Sequence, residues 1–168
     1  NSINFRNYQN DLIKDYISGY TAEIGPGNGK NLKLYIDKVE KVDLYEPSKI
    51  LFENLESKYQ HNENVFLINK EFPLTPNTYD TILYLDVLEH IQNDLDEINK
   101  SFNSLKSGGK LIINVPAFQY LYSKFDEDVN HFRRYDKKSI KDLIQNLDHS
   151  SYQMKYYDSI GFLLSLIS

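Results

Sequence analysis

Short apolar runs alternate along this chain with stretches in which apolar residues recur at helical spacing. The runs predict strands at residues 20–24, 42–46, 65–68, 81–85, 111–115 and 152–157. The helical spacing predicts helices at residues 5–18, about 29–37, 50–59, 95–105 and from about 137 on. Several strands are continuously apolar, which indicates burial on both faces. We therefore expect an α/β fold, a Rossmann-like, doubly wound and mostly parallel sheet.

The first predicted strand ends in a glycine-rich turn, Thr21-Ala22-Glu23-Ile24-Gly25-Pro26-Gly27-Asn28-Gly29-Lys30. Alternating glycines let the backbone turn sharply and approach a ligand closely, and open α/β sheets bind ligands at the carboxyl ends of their strands. The spacing excludes a P-loop, and the third glycine comes one residue too early for a dinucleotide fingerprint. A plain turn is the alternative, but the preceding acid and the three glycines favour a cofactor site.

Two further polar groups stand at predicted strand ends. Glu46 ends the second strand, where a carboxylate can accept hydrogen bonds from ribose hydroxyls; the alternative is a solvated surface acid. The fourth strand runs into Leu85-Asp86-Val87-Leu88-Glu89-His90-Ile91. A histidine there suits proton removal near neutral pH. The alternative is that Glu89 and His90 only begin the next helix.

These features together resemble the class I S-adenosylmethionine (SAM) methyltransferases, whose motif I is an acid followed by G-x-G-x-G. Leu105-Lys106-Ser107-Gly108-Gly109-Lys110 is similar to the family's L-x-P-G-G-x-L turn, with Ser107 in place of proline. Val115-Pro116-Ala117-Phe118 and His131-Phe132-Arg133-Arg134-Tyr135 resemble a bacterial subgroup with V-P-A-F and G-H-x-R-R-Y motifs, with Asn130 in place of the glycine. The subgroup implies a fold and a cofactor, and it leaves the substrate open.

The resemblance implies that SAM binds across the carboxyl ends of strands one, two and four. It implies that Glu23 orients the glycine loop and the methionine amino group, and that Glu46 holds the ribose. The adenine contact stays open between Asn69 and Glu71. The predicted cofactor-binding residues are Glu23, Gly25, Pro26, Gly27, Glu46, Pro47, Asn69, Asp86 and Val87.

The connection over residues 116–136 is predicted to form the acceptor side of the pocket. Loops of roughly 20 residues inside a domain are usually functional or disordered, and its aromatic residues argue against disorder. Its paired arginines suit an anionic acceptor group, such as a phosphate-linked lipid or sugar. The alternative is that Arg134 pairs with Asp126, Glu127 or Asp128 and holds the loop. The predicted acceptor residues are Tyr120, His131, Arg133, Arg134 and Tyr135, and the predicted catalytic residues are His90 and His131.

A metal site is a further alternative. Asp86, Glu89, His90 and His131 resemble the pattern of certain metal-assisted O-methyltransferases, in which a divalent ion orients and acidifies a hydroxyl. Asp86 is already predicted to bind the cofactor, and the D-V-L-E-H string also occurs in methyltransferases with no known metal. We therefore favour a metal-free site.

Composition sets the remaining limits. The 168 residues predict a single SAM-binding domain over 1–168; the family's seventh strand is not found, so we expect a truncated C-terminus. A net charge of -5 argues against nucleic-acid partners. No apolar run reaches the roughly 20 residues of a membrane span, and neither a signal pattern nor a cysteine is present. We expect a cytoplasmic location, with peripheral membrane contact left open.

The leading hypothesis from the sequence is SAM-dependent methyl transfer, at oxygen, to a small-molecule or lipid- or sugar-linked acceptor. One alternative is a SAM-binding module without turnover, because methyltransferases need few obligatory catalytic side chains. The other is a nicotinamide-dependent oxidoreductase on a similar sheet, against which the glycine spacing speaks.

Overall fold

Five strands pair in parallel into one sheet in the computed structural model, which describes residues 8–9, 11–148 and 151–157. They are β1 (Gly19–Ile24), β2 (Val39–Tyr45), β3 (Val65–Ile68), β4 (Tyr79–Leu85) and β5 (Leu105–Asn114). Their order in the sheet is β3-β2-β1-β4-β5. The chain direction across the sheet reverses between β1 and β4, and a crevice opens at such a switch point at the carboxyl ends of the strands.

Within the described residues, four α-helices connect or follow these strands. They are α1 (Lys49–Tyr59), α2 (Asp94–Ser104), α3 (Lys124–Asp128) and α4 (Lys137–Ile144). Polar side chains cap the two longer helices, because the first N–H groups of a helix lack intrahelical partners. Ser48 accepts from the N–H of Leu51, and Asn93 accepts from the N–H of Asp96.

Two apolar clusters cover the two faces of the sheet, as its continuously apolar strands predict. On β4, Ile82 and Tyr84 belong to one cluster, whereas Leu83 and Leu85 belong to the other. All four side chains are buried. The α/β prediction and the parallel sheet are confirmed, and this rigid centre fixes the strand ends at which the polar residues lie.

The helix predicted at about residues 29–37 is wrong. Two short 3-10 segments occupy this region, Leu32–Leu34 and Ile36–Lys38. Tyr35, between them, has a φ of -135° and is 2% exposed. The chain thus leaves the helical path at this buried residue. For the helix predicted at residues 5–18, described residues 8–9 and 11–13 are helical, Lys14–Tyr16 is 3-10 and residues 17–18 are not helical. Residues 5–7 and 10 of that predicted helix lie outside the described part.

The strand predicted at residues 152–157 is also wrong, since these residues have no regular structure. A strand needs a ladder partner, whereas this segment is held by side-chain contacts. The Tyr156 ring stacks on Phe118 at 4.7 Å, and the Tyr157 hydroxyl donates to Asn114. Strand β5 begins earlier than predicted, at Leu105, and its register against β4 shifts where the predicted glycine turn lies.

The connection over residues 116–136 is ordered and closes on itself. The N–H of Phe118 donates to the carbonyl of Tyr135 at 3.1 Å, and the N–H of Tyr135 donates to the carbonyl of Pro116 at 2.9 Å. A 3-10 turn, Gln119–Leu121, and helix α3 lie inside this closed loop. In the described residues, no helix is long and apolar enough to cross a bilayer.

Candidate active site

The glycine turn lies where β1 ends, and two of its glycines meet different surroundings. Gly25 has a φ of +62°, and a Cβ there would lie 2.8 Å from Cγ1 of Val87. Gly27 has a φ of +58°, and a Cβ there would meet nothing within 4 Å. The first glycine therefore allows close packing inside the protein. The second keeps its surroundings open, as close approach of a ligand to the backbone requires.

Glu46 joins the end of β2 to this turn. Its carboxylate accepts from the N–H of Gly27 at 3.0 Å through Oε2, and from the N–H of Ser48 at 2.9 Å through Oε1. The residue is 4% exposed, so the alternative of a solvated surface acid does not apply. Each carboxylate oxygen has a second lone pair, which leaves Glu46 the capacity to accept further hydrogen bonds from a ligand.

Glu23 is the buried acid of the turn and is 1% exposed. The hydroxyl of Tyr35 donates to it. Burial raises the pKa of Glu23 to about 7, although hydrogen bonds from Tyr35 and Asn31 oppose the rise. A carboxyl poised near neutrality ionises readily when a cationic group comes near. Sequence reasoning missed Tyr35, because it placed this residue in a helix over about residues 29–37 and not against the acid of the turn.

Asp86 begins the chain segment after β4 in the left-handed region, with a φ of +59°. Its N–H donates to the carbonyl of Asn114 at 3.0 Å, and the Asn114 amide donates to its carboxylate. Asn114 was not among the predicted site residues. Its place at the end of β5, the strand adjacent to β4, is the signal that could have identified it. The following residue, Val87, packs on Gly25.

The remaining predicted cofactor residues line the same edge of the sheet. The Asn69 side-chain amide donates to the carbonyl of Glu46 at 2.8 Å and to that of Pro47 at 3.3 Å. The carbonyl of buried Pro26 accepts from the N–H of Gly29 at 2.9 Å. Asn69 therefore lies beside Glu46, where the adenine contact is predicted.

Three titratable side chains meet next to this edge. One carboxylate oxygen of Glu89 and one nitrogen from each of His90 and His131 all lie within 4.8 Å of one another. The two imidazole centroids are 4.7 Å apart, with the rings edge to face. Glu89 and His90 lie in a 3-10 turn, Leu88–His90, that precedes α2, so neither residue begins that helix. The structure thus brings both predicted catalytic histidines together.

Burial changes the protonation of this group. Burial, followed by the charges of Asp86 and Asp126, raises the pKa of Glu89 to about 8. Oε2 of Glu89 is buried and has no hydrogen-bond partner among the described residues. Burial and the neighbouring His131 lower the pKa of His90. A neutral acid and a neutral imidazole are therefore expected side by side at pH 7 in the free protein.

His131 and Arg134 share one buried partner, Asp126, which is 0% exposed. Nδ1 of His131 lies 2.9 Å from Oδ1 of Asp126, and Nε of Arg134 donates to the same oxygen at 2.8 Å. Burial alone would raise the pKa of Asp126, but these two hydrogen bonds lower it to about 2. The structure thus shows the pairing of Arg134 with a loop acid that the sequence left open as the alternative.

Two of the other predicted acceptor residues, Arg133 and Tyr135, share one partner, the carboxylate of Asp94. Arg133 forms an ion pair with Asp94 at 2.5 Å and donates to the carbonyl of Gln92 at 2.7 Å. Tyr135 is 3% exposed, and its hydroxyl donates to Asp94 at 2.8 Å. Tyr120 is 67% exposed. Arg133 and Tyr135 thus fasten the loop to the start of α2, and only Tyr120 presents most of its ring to solvent.

Solved structures share this arrangement of strands. A *Methanococcus maripaludis* protein assigned as a SAM-dependent methyltransferase superposes with a TM-score of 0.70 at 15% identity, over 94% of this chain and 82% of its own. *Haemonchus contortus* phosphoethanolamine N-methyltransferase 2, solved with phosphomonomethylethanolamine and S-adenosylhomocysteine, superposes with a TM-score of 0.68 at 19% identity, over 84% of this chain and 37% of its own. The fold is therefore that of the class I SAM-dependent methyltransferases.

The sequence itself identifies the family. The chain belongs to the methyltransferase-domain family, which matches residues 18–151. An uncharacterised protein of *Methanocaldococcus jannaschii* is 32% identical over 115 residues, which are 67% of this chain and 48% of that protein. The chain thus spans about half the length of this curated relative. Membership of a methyltransferase family agrees with the SAM-type glycine spacing and speaks against the nicotinamide alternative.

Proposed function

We propose that this protein transfers the methyl group of SAM to an oxygen atom of a small-molecule or lipid- or sugar-linked acceptor. Family membership and the class I fold support the methyl transfer and the donor. The convergence of Glu89, His90 and His131 is the observation that carries the assignment to oxygen. The bacterial subgroup suggested by the V-P-A-F and H-x-R-R-Y motifs stays a prediction.

The donor would bind over the glycine turn, across the carboxyl ends of β1, β2 and β4. Glu46 is suited to accept from the ribose hydroxyls, since it is buried, oriented by two backbone N–H groups and still has free lone pairs. The open space over Gly27 would admit the methionine portion. Glu23 would orient the glycine turn and lie near the cationic amino group, whose charge favours the ionised carboxylate.

Transfer to a hydroxyl needs a base. The acceptor oxygen attacks the methyl carbon, the carbon–sulfur bond breaks, and its electron pair stays on sulfur to give S-adenosylhomocysteine. The hydroxyl proton passes to an imidazole, for which His90 and His131 are the candidates. The lowered pKa of His90 keeps this ring neutral and able to accept a proton at pH 7. Alignment of donor and acceptor supplies much of the remaining rate.

The acceptor would lie against the closed loop that follows β5. The Phe118 ring contacts Tyr120 at 5.6 Å and stacks on Tyr156 at 4.7 Å, and Lys137 Nζ lies 4.9 Å from the Tyr156 centroid. Aromatic rings beside an exposed ammonium suit a sugar or lipid that carries an anionic group. Because Arg133 and Arg134 are already paired with acids, we assign the anionic contact to Lys137 instead.

Acceptor fractions offered with radiolabelled SAM would test this proposal. Polar and lipid extracts, each with and without phosphatase treatment, are incubated with the protein, and labelled products are identified by mass spectrometry. We expect an O-methylated product whose formation falls after phosphatase treatment. Lys137→Ala should raise the KM for the acceptor, whereas Lys138→Ala, the exposed neighbour, should not. Methylation of nitrogen would contradict the oxygen assignment, and SAM binding without acceptor-dependent turnover would support the module alternative.

A metal-assisted form of the same reaction is the second candidate. Its support is the carboxylate of Glu89, which lies next to two imidazoles and whose buried Oε2 has no hydrogen-bond partner among the described residues. A carboxylate and two imidazole nitrogens suit a divalent ion such as Zn²⁺ or Mn²⁺. Glu89, His90 and His131 would hold the ion. When bound, such an ion orients an acceptor hydroxyl and lowers its pKa.

Metal binding can be measured without an acceptor. Calorimetric titration with Zn²⁺ and Mn²⁺ should show one saturable site in the metal-assisted form, and Glu89→Gln should abolish it. Glu127→Gln is the control, because Glu127 is exposed on α3 and pairs with Lys124. Methyl transfer that survives exhaustive chelation would support the metal-free form. Loss on chelation with recovery on adding Mg²⁺, Mn²⁺ or Zn²⁺ would support the metal-assisted form.

A further inference from the structure

We propose that Asp126 is a positioning residue: it holds the His131 imidazole as the Nδ1–H tautomer, so that Nε2 is the nitrogen that serves the reaction. Arg134, in turn, holds Asp126 in place. The catalytic role of Nε2 rests on the proposed methyl transfer. The arrangement itself rests on contacts that can be tested without any acceptor.

Hydrogen bonds to both carboxylate oxygens fix the orientation of the Asp126 side chain. Oδ2 accepts from the N–H of Ser123 at 2.9 Å, and Oδ1 accepts from Nε of Arg134 at 2.8 Å. Nδ1 of His131 lies 2.9 Å from the same Oδ1. An ionised carboxylate only accepts hydrogen bonds. The proton of the His131–Asp126 contact must therefore be on Nδ1, and a neutral ring then has its lone pair on Nε2.

The Nε2 atom of His131 lies on the side of the other two titratable groups, Glu89 and His90. Nε2 of His131 lies 3.9 Å from Oε1 of Glu89, and the His90 ring packs against the His131 ring. The tautomer of His90 is fixed in the same way, because its Nδ1 lies 3.2 Å from the carbonyl oxygen of Asn130, which can only accept a hydrogen bond. Two independent acceptors thus select the same tautomer in two adjacent imidazoles, and no backbone N–H of the described residues donates to either Nε2.

The local chain is built around Asp126. Ser123 and Asp126 form the capping box of α3, and the N–H of His131 donates to the carbonyl of Asp126 at 2.8 Å. The guanidinium of Arg134 neutralises the buried charge, which an isolated carboxylate could not carry at 0% exposure. The side chain of Asp126 therefore orients two residues of the loop after β5, His131 and Arg134. In either form of the transfer, Nε2 is the nitrogen that takes the proton or holds the ion.

Side-chain ¹⁵N NMR of the histidines tests this directly, since the chain has only 4 histidines. Spectra recorded at alkaline pH, where imidazoles are neutral, distinguish the two tautomers, and His131→Gln assigns the signals. We expect His131 as Nδ1–H in the unmodified protein and as a mixture of tautomers in Asp126→Asn. Asp128→Asn is the matched control. It makes the same change on α3, where Asp128 is exposed and pairs with Lys124 at 3.0 Å, and it should leave the spectrum unchanged.

The unmodified protein alone can overturn the proposal. An Nε2–H tautomer of His131, or a mixture, would contradict it even if Asp126→Asn failed to fold. For a folded Asp126→Asn protein, shown by unchanged binding of S-adenosylhomocysteine, an unaltered His131 spectrum would contradict it as well. The tautomer is measured without turnover. Failure of the proposed methyl transfer would therefore leave this result standing, and the two failures are distinguishable.

Discussion

Oε2 of Glu46 accepts a hydrogen bond from the backbone N–H of Gly27 at 3.0 Å. This contact ties the end of β2 to the glycine turn after β1, so the acid and the open space over Gly27 form one site. The sheet supplies the positions of both, because the register pairs Ile24 with Tyr45, the residue before Glu46. A ligand that uses the acid for its ribose therefore passes directly over the turn.

We expect Glu46→Ala to weaken binding of S-adenosylhomocysteine by roughly tenfold or more, because ribose hydroxyls would face a site without their acceptor. Isothermal titration calorimetry measures this. Glu53→Ala serves as the control, since Glu53 is exposed on α1 and pairs with Lys49 at 3.9 Å. Unchanged affinity in Glu46→Ala would sink the ribose assignment.

Substitutions at two glycines distinguish the cost of backbone strain from the loss of a ligand contact. Gly27 and Gly108 both have positive φ, +58° and +78°, and an added Cβ meets nothing within 4 Å at either. We expect Gly27→Ala and Gly108→Ala each to cost about 1 kcal/mol of unfolding free energy, measured by denaturant titration. Only Gly27→Ala should also weaken binding of S-adenosylhomocysteine. Equal effects of both changes on binding would show that Gly27 does not border the cofactor.

The raised pKa of Glu23 predicts that donor affinity depends on pH. In the free protein this carboxyl stays protonated up to pH about 7, although its ordinary pKa is 4.5. A cationic amino group favours the ionised form, so binding of S-adenosylhomocysteine below pH 7 requires loss of that proton. Affinity should therefore rise by up to roughly tenfold per pH unit toward pH 7 and level off above it. In Glu23→Gln this dependence should disappear; a flat profile in the unmodified protein would contradict the prediction.

The same shift has a consequence for the stability of the free protein. Between pH 4.5 and about 7 the unfolded chain ionises Glu23 while the folded protein does not. The unfolded state then binds fewer protons, so this residue makes unfolding progressively easier as pH rises through that range. Relative to the unmodified protein, Glu23→Gln should gain stability as pH rises from 4.5 to 7 in chemical denaturation. A constant difference would mean that Glu23 does not titrate in this range.

The pairing of Arg134 predicts a structural effect. Arg134→Ala would leave the buried Asp126 carboxylate without its cation, and we expect a loss of about 3 kcal/mol in unfolding free energy. Lys124→Ala removes the exposed pairs with Glu127 and Asp128 and should cost less than about 1 kcal/mol. Thermal or chemical denaturation compares the two. A similar, small loss of unfolding free energy in both variants would contradict the structural role of Arg134 and favour its predicted role as an acceptor contact.

The sequence predicted the site better at strand ends than in loops. The glycine turn, Glu46 and Asp86 follow apolar strands, and the parallel sheet brings its strand ends to one edge, so their proximity follows from the fold. The ends of β1, β2 and β4 could therefore be predicted. The helix after the turn could not, because the burial of Tyr35 against Glu23 depends on a tertiary contact.

The loop after β5 shows the limit more sharply. Its aromatic residues predicted order by burial, but Tyr120 and Phe125 are 67% and 64% exposed. Order comes instead from the bonds of Asp126 and from backbone pairing of Phe118 with Tyr135. Which of three adjacent acids meets Arg134 depends on the capping geometry of α3, and spacing alone does not determine it. The sequence left that choice open for this reason.

The central claim is that the crevice at the carboxyl ends of β1, β2 and β4 binds a SAM-type cofactor. Parallel calorimetric titrations of the unmodified protein with S-adenosylhomocysteine and with NAD⁺ test it most directly. We predict saturable 1:1 binding of S-adenosylhomocysteine that Glu46→Ala weakens, and no binding of NAD⁺. Preferential binding of NAD⁺, or no binding of S-adenosylhomocysteine by the folded protein, would contradict the claim.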